Sequence, residues 1–251
     1  MPQPQSLPPT AIVIGVGAQA GLGAACCRRF AAAGHHVIAV GRSAERLSQV
    51  VTEIHQAGGR AEAYVADATS ETAMASLFAH ACNADSTRGV PNLVVFNAGN
   101  NQRIPFAELD IGVLREFLEA GCVAGFIVGR EVARRLVPMG PATLLFTGAS
   151  ASLRGRPGFA QFAAAKAGLR MLAQSMAREY GPQGLHVAHV IIDGGIDGQR
   201  LRERVPEFVA QAGPDGLLKL DAIAESYWQL HCQPPSAWSQ EIDLRPYRES
   251  F

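Results

Sequence analysis

The chain has 251 residues, 22 of them basic and 22 acidic, so its formal net charge is zero. That balance argues against a protein held to nucleic acid or to an anionic membrane surface by electrostatics. Hydrophobic residues make up 48% and charged ones 18%, a globular composition that excludes disorder for the bulk of the chain, and the length suits one α/β domain. Residues 1–10, with Pro2, Pro4, Pro8 and Pro9 and no leader pattern, read as a flexible tail before a single domain over 11–251. AIVIG (11–15) is the first expected strand, and residues 24–33 the first helix. HVIAV (36–40) precedes a helix over 44–57, AEAYV (61–65) one over 71–82, NLVVFN (92–97) one over 111–136, and TLLFT (143–147) one over 162–180. HVAHVII (186–192) is followed by a glycine- and proline-rich stretch, 194–216, around a charged patch at 200–204, which reads as a mobile loop. A helix over 222–231 and a strand over 241–244 close the chain. Most strand runs are continuously apolar, as parallel strands covered by helices on both faces must be, so a doubly wound parallel α/β sheet is expected.

No apolar run reaches the ~18 residues of a membrane span; even the uncharged stretch from Ala120 to Gly129 is closed by Glu119 and Arg130. Five cysteines without C-x-x-C spacing and seven histidines without H-E-x-x-H indicate neither a disulfide framework nor a zinc site. A cytoplasmic protein is expected.

After the first strand comes Gly15-Val16-Gly17-Ala18-Gln19-Ala20-Gly21-Leu22-Gly23, and helix formers follow at once. Strand, tight turn and helix in that order let a backbone without side chains approach a pyrophosphate, whose charge sits at the helix N-terminus. No Lys and Ser/Thr pair follows Gly23, which disfavours a nucleoside triphosphate loop. The second strand ends Gly41-Arg42-Ser43, with no carboxylate for a free ribose. A guanidinium there suits a 2′-phosphate, so NADP(H) is favoured over NAD(H).

Gly17-x-x-x-Gly21-x-Gly23, Asp67 after the third strand, Asn97-Ala98-Gly99 after the fourth, and Lys166 on the helix after the fifth together resemble the short-chain dehydrogenase/reductase family, from Ala11 to Leu244. The resemblance implies a Rossmann-type domain, with Gly17, Gln19, Gly21, Leu22, Gly23, Arg42, Asp67, Asn97, Ala98, Gly99, Gly194 and Ile196 around the cofactor and Lys166 on its ribose. It also implies a homo-oligomer paired through helices that are rich here in small residues (Gly121, Ala124, Gly125 and Gly129; Ala163 to Ala165, Ala167 and Gly168). The family's Tyr-x-x-x-Lys stands here as Phe162-Ala163-Ala164-Ala165-Lys166, its serine falls on Ala149, and its asparagine on Cys122.

Without a phenol, the candidates for proton chemistry are Lys166, Ser150 and Asp193. Ser152, Asn100, Asn101, Arg103, Arg154, Arg156 and Asp197 also fall near the strand ends where α/β ligands bind. Arg154 and Arg156 suit an anionic substrate group or solvent, and Asp193 and Asp197 are carboxylates that can pair with them. The expected function is an NADP(H)-dependent oxidoreductase acting on a small or medium carbonyl or alcohol with a non-standard proton donor. The alternative is a dinucleotide-binding sensor or assembly partner without turnover, and a third reading is hydration or elimination in the same cleft.

Overall fold

A computed structural model describes residues 7–83 and 87–249; residues 1–6 of the expected tail lie outside them. Thr10, allotted to the tail, is instead the first residue of strand β1 and is 0% exposed, its hydroxyl donating to the Gly89 carbonyl at 2.6 Å. Strand and helix then alternate as the apolar pattern requires: β1 (Thr10–Ile14), α1 (Leu22–Ala32), β2 (His36–Gly41), α2 (Ala44–Gln56), β3 (Arg60–Val65), α3 (Glu71–Cys82) and β4 (Pro91–Phe96). The second half holds α4 (Ile111–Leu118), α5 (Ala124–Arg135), β5 (Ala142–Thr147), α6 (Ala160–Tyr180), β6 (Leu185–Ile192), α7 (Gln199–Arg204), α8 (Pro206–Ala212), α9 (Leu220–His231) and β7 (Glu241–Leu244). The seven strands pair in parallel in the order β3-β2-β1-β4-β5-β6-β7. This is a single-domain Rossmann-type doubly wound α/β fold.

Because the central strands are covered on both faces, two cores form. Phe30, Leu47, Val50 and Tyr227 belong to the core under α1, α2 and α9; Phe78, Phe96, Phe146 and Leu169 belong to the one under α3 to α6. The small residues of α4 to α6 serve packing within the chain. A Cβ on Gly125 would stand 2.3 Å from Leu169 Cδ1, and one on Gly121 3.0 Å from the Ala165 Cβ.

Two expectations need correction. The helix over 111–136 is broken at Glu119–Val123 by a π turn, which holds one residue more than an α turn and is common at functional sites. The loop over 194–216 contains α7 and α8. Leu201, Phe208 and Leu217 converge on the side-chain-free face of Gly195, within 3.1 Å of where its Cβ would be, and Pro206 pre-sets the first turn of α8.

Candidate active site

β1 and β4 lie side by side, and the chain leaves their ends in opposite directions, to β2 and to β5, opening a crevice at the switch point. Gly15 floors it. Its φ of +97° and the Ala98 nitrogen 2.5 Å from a would-be Cβ leave room for no side chain, and Asn97 Nδ2 donates to the Gly15 carbonyl at 3.2 Å. The turns after β1 and β4 are thus pinned together. At the N-terminus of α1 Gly21 provides no side-chain cap, and the first turn carries no acidic residue. Its amides and the positive end of its dipole are left for an anion, while the missing side chain of Gly17 faces open space. A pyrophosphate fits this cradle. A Cβ on Gly23 would stand 2.9 Å from the Gly15 carbonyl oxygen, so glycine there lets α1 pack against the turn, and Leu22 is buried in the core.

Gln19 is turned outward, its Nε2 donating to Glu53 at 3.1 Å, so only its backbone belongs to the cradle. Arg42 is exposed at the end of β2 and makes no ion pair among the described residues, whereas the Ser43 hydroxyl caps α2. Asp67 accepts from the Thr69 amide at 3.0 Å and its hydroxyl at 2.8 Å. These bonds, chiefly the one from the amide, hold its carboxyl below the usual range, and the Arg42 charge adds to the effect.

Lys166, on α6, reaches the end of β5; it is 6% exposed, its Nζ donating to the Thr147 carbonyl at 2.7 Å and lying 3.4 Å from where a Gly99 Cβ would be. Burial lowers its pKa from 10.5 to about 8. The Phe162 ring lies one turn away, its centroid 6.0 Å from Nζ. Cys122, in the π turn, has its sulfur 2.7 Å from the Cβ position of Gly168, and burial raises its thiol pKa.

Ser150 opens a 3-10 turn, Ser150–Ser152; it is half-buried and its hydroxyl makes no hydrogen bond among the described residues. Ser152 is fixed by a relay that sequence reasoning missed. Arg170 grips Glu241 with two nitrogens at 2.6 and 2.8 Å, and Glu241 accepts from His189 Nδ1 at 2.9 Å. The carboxylate can only accept, so Nε2 of the neutral imidazole accepts from the Ser152 hydroxyl at 3.2 Å, which accepts from the Ala149 amide. Burial drives the His189 pKa down to about 4, so the ring stays neutral. The detectable signal was a polar residue inside an apolar run, with side-chain-free Gly148 facing it.

Asp193 does not serve as the expected proton donor. It is 0% exposed, both oxygens accept from Arg154 Nη2 at 3.1 and 3.0 Å, and Arg245 stands 3.7 Å away. Two guanidiniums thus face it and close it off from solvent. Asp197 is likewise taken, by Arg202 at 2.7 Å. Gly194 turns the chain against Pro246, and Ile196 bridges to Leu218.

α7 spans the crevice. The Gln199 amide donates to the Ala20 carbonyl at 2.8 Å, in the glycine turn. On the opposite side Arg200 donates to Asn100 Oδ1, and Arg204 Nη1 donates to the Asn101 carbonyl at 3.1 Å. The strap after Gly99 is anchored from the other flank by Gln161 Nε2 on the Gln102 carbonyl at 2.7 Å and by the Ile104 amide on Gly158 at 2.8 Å. Arg103 lies against Gly158, and Arg156 is exposed.

Comparison with known proteins agrees with this architecture. The family model for short chain dehydrogenases matches residues 10–207. Gluconate 5-dehydrogenase of Gluconobacter oxydans is 29% identical over 171 residues, which span 68% of this chain and 66% of that protein. 3beta-hydroxysteroid dehydrogenase 1 of Eggerthella lenta is 29% identical over 214 residues, 84% of this chain and 80% of the relative. A solved short-chain dehydrogenase from Rhodopseudomonas palustris superimposes with a TM-score of 0.80 at 40% identity, covering 95% of this chain and 98% of that one. By its sheet order, its glycine turn and these matches, the chain belongs to the short-chain dehydrogenase/reductase family of NAD(P)-dependent oxidoreductases.

Proposed function

We propose that the chain interconverts a small or medium carbonyl compound and its alcohol with NADP(H), and that Lys166 is the proton donor. The observation that carries this reading is a buried ammonium whose pKa is lowered to about 8, next to a phenyl ring that has no proton to give. A donor whose pKa lies near the working pH is the effective one. The uncapped turn of α1, Gly17 and the Asn97–Gly99 turn would hold the dinucleotide, and Arg42 its 2′-phosphate. When bound, NADPH supplies the hydride to the carbonyl carbon. The carbonyl π pair moves to its oxygen and takes a proton from Lys166 Nζ, and the amine regains one from solvent. Of the three Nζ hydrogens only one is used by Thr147, which leaves two for substrate. Ser150, with a free hydroxyl, donates a hydrogen bond to the same oxygen. In the direction of oxidation, neutral Lys166 takes the alcohol proton.

Val123 in the π turn, Phe126 just after it and Met171 on α6 are exposed apolar side chains, and they support the expected homo-oligomer. Five free thiols fit the expected cytoplasmic location.

The test is NADPH oxidation against a broad carbonyl panel by wild type and Lys166→Ala, with NADPH binding followed by fluorescence in the same samples. Turnover that disappears in the variant supports the proposal, and Phe162→Tyr should then raise the rate at least tenfold. Binding without turnover refutes it. That outcome would leave a silent dinucleotide-binding sensor, the reading favoured by the missing phenol and the sealed Asp193.

A further inference from the structure

Arg200 and Arg204 stand one turn apart on α7 and point at the same strap, where they meet only neutral oxygens, Asn100 Oδ1 and the Asn101 carbonyl. Neither makes an ion pair among the described residues, although Arg202 between them takes Asp197, and Glu203 accepts a hydrogen bond from Gln199 rather than pairing with either. Burial and the charge of Arg204 both lower the Arg200 pKa, with no carboxylate acting against them. Two like charges held together on an exposed helix face, in a chain of zero net charge, are an arrangement that an anion relieves. A planar guanidinium is moreover the group best shaped for carboxylate or phosphate oxygens.

Their place says whose anion it is. Asn100 follows Gly99, and Gly99 adjoins Lys166 Nζ. Arg200 therefore meets the strap residue next to Gly99, and Arg204 the one after it, on the side of the ammonium that meets the reacting oxygen. We infer that Arg200 and Arg204 form the binding site for an anionic headgroup, carboxylate or phosphate, on a substrate whose carbonyl reaches Lys166. This assignment rests on the oxidoreductase reading above. The neutral acceptors on the strap hold the two side chains in position until the substrate anion takes the hydrogen bonds. Arg154 is ruled out for this role because Asp193 already takes it bidentately.

The experiment uses matched pairs: levulinate against methyl levulinate, and dihydroxyacetone phosphate against dihydroxyacetone. Wild type should favour the charged member of at least one pair by tenfold or more in kcat/KM, and whichever pair responds identifies the headgroup. In the double variant Arg200→Gln/Arg204→Gln the charged member should lose about a hundredfold, mainly through KM. The neutral member and the NADPH dissociation constant should stay within about twofold. Equal losses on charged and neutral members overturn the inference while leaving the reductase intact. A loss of NADPH affinity instead assigns the arginines to the cofactor phosphates and overturns it as well. If no compound is turned over, the oxidoreductase reading fails, and calorimetric titration of levulinate and dihydroxyacetone phosphate into the NADP-saturated protein still decides the anion site. Salt-sensitive binding absent from the double variant upholds it, and no binding by wild type overturns it.

Discussion

Replacing Lys166 by Met should make the protein more stable while removing its chemistry. In the folded chain burial lowers the ammonium pKa from 10.5 to about 8. That difference of roughly 2.5 units corresponds to about 3 kcal/mol of strain on the charged form at neutral pH, at ~1.36 kcal/mol per unit. Met removes the strain but leaves the Thr147 carbonyl without its donor, a loss of about 1 kcal/mol. The variant is therefore expected to be about 2 kcal/mol more stable at pH 7. The pH dependence carries the signature. Between pH 8 and 10.5 the unfolded wild-type chain keeps the lysine proton and the folded one sheds it, so wild-type stability rises with pH by about 1.4 kcal/mol per unit. Met cannot follow, and its advantage should vanish within this window and become a deficit of about 1 kcal/mol above it. Urea unfolding of both proteins without cofactor, at each pH from 7 to 10, measures the difference directly and cancels titrations common to both. A difference that is flat with pH, or a variant less stable at pH 7, refutes a buried strained ammonium.

Arg42→Asp should shift cofactor preference from NADPH toward NADH by tenfold or more; unchanged discrimination in paired kcat/KM measurements removes Arg42 from the site. The fold should be labile to acid. Burial drives His189 and His231 down to about 4 and also lowers His35 and His186. Below pH 6.5 the unfolded chain binds protons that the folded one refuses, for a loss on the order of 5 kcal/mol from His189 and His231 by pH 4; a stability profile level across that window contradicts it. Gly15→Ala meets the Ala98 backbone at a φ of +97° and should cost about 3 kcal/mol or more together with dinucleotide binding. Gly129→Ala meets only the movable end of Met176 and should stay within about 1 kcal/mol, and equal thermal shifts for the two variants would contradict the distinction.

What was legible in the sequence was what is repeated or local. Continuous apolar runs state that a strand is covered on both faces, and glycines at fixed spacing state where backbone must approach a ligand, so the sheet and cradle followed from the chain alone. Asp193 illustrates the limit. A carboxylate beside the expected reaction centre is a candidate acid until the distant Arg154 and Arg245 are found on it, and no local pattern specifies that meeting. The same holds for His189 and Glu241, which are far apart in sequence and joined only by the register of β6 with β7. α7 and α8 were hidden for another reason. Glycines and prolines signal loops, yet here Gly195 makes room for Leu201 and Phe208, and Pro206 starts a helix.

The π turn between α4 and α5 acts as a phase shifter. An α-helix advances each residue by about 100°, and the wider π turn takes up one extra residue, so the downstream faces keep the rotation of a helix one residue shorter. With the extra residue present, Phe117 above the turn and Ile127 and Val128 below it are all buried, and Gly125 meets Leu169. Winding Glu119–Val123 as regular α-helix with the same residues would advance α5 by one position and carry Ala124 into the place of Gly125, where Leu169 leaves no space for even a methyl group. In a lineage of such chains, this segment should tolerate loss of one residue, which leaves a regular helix with α5 in the same register.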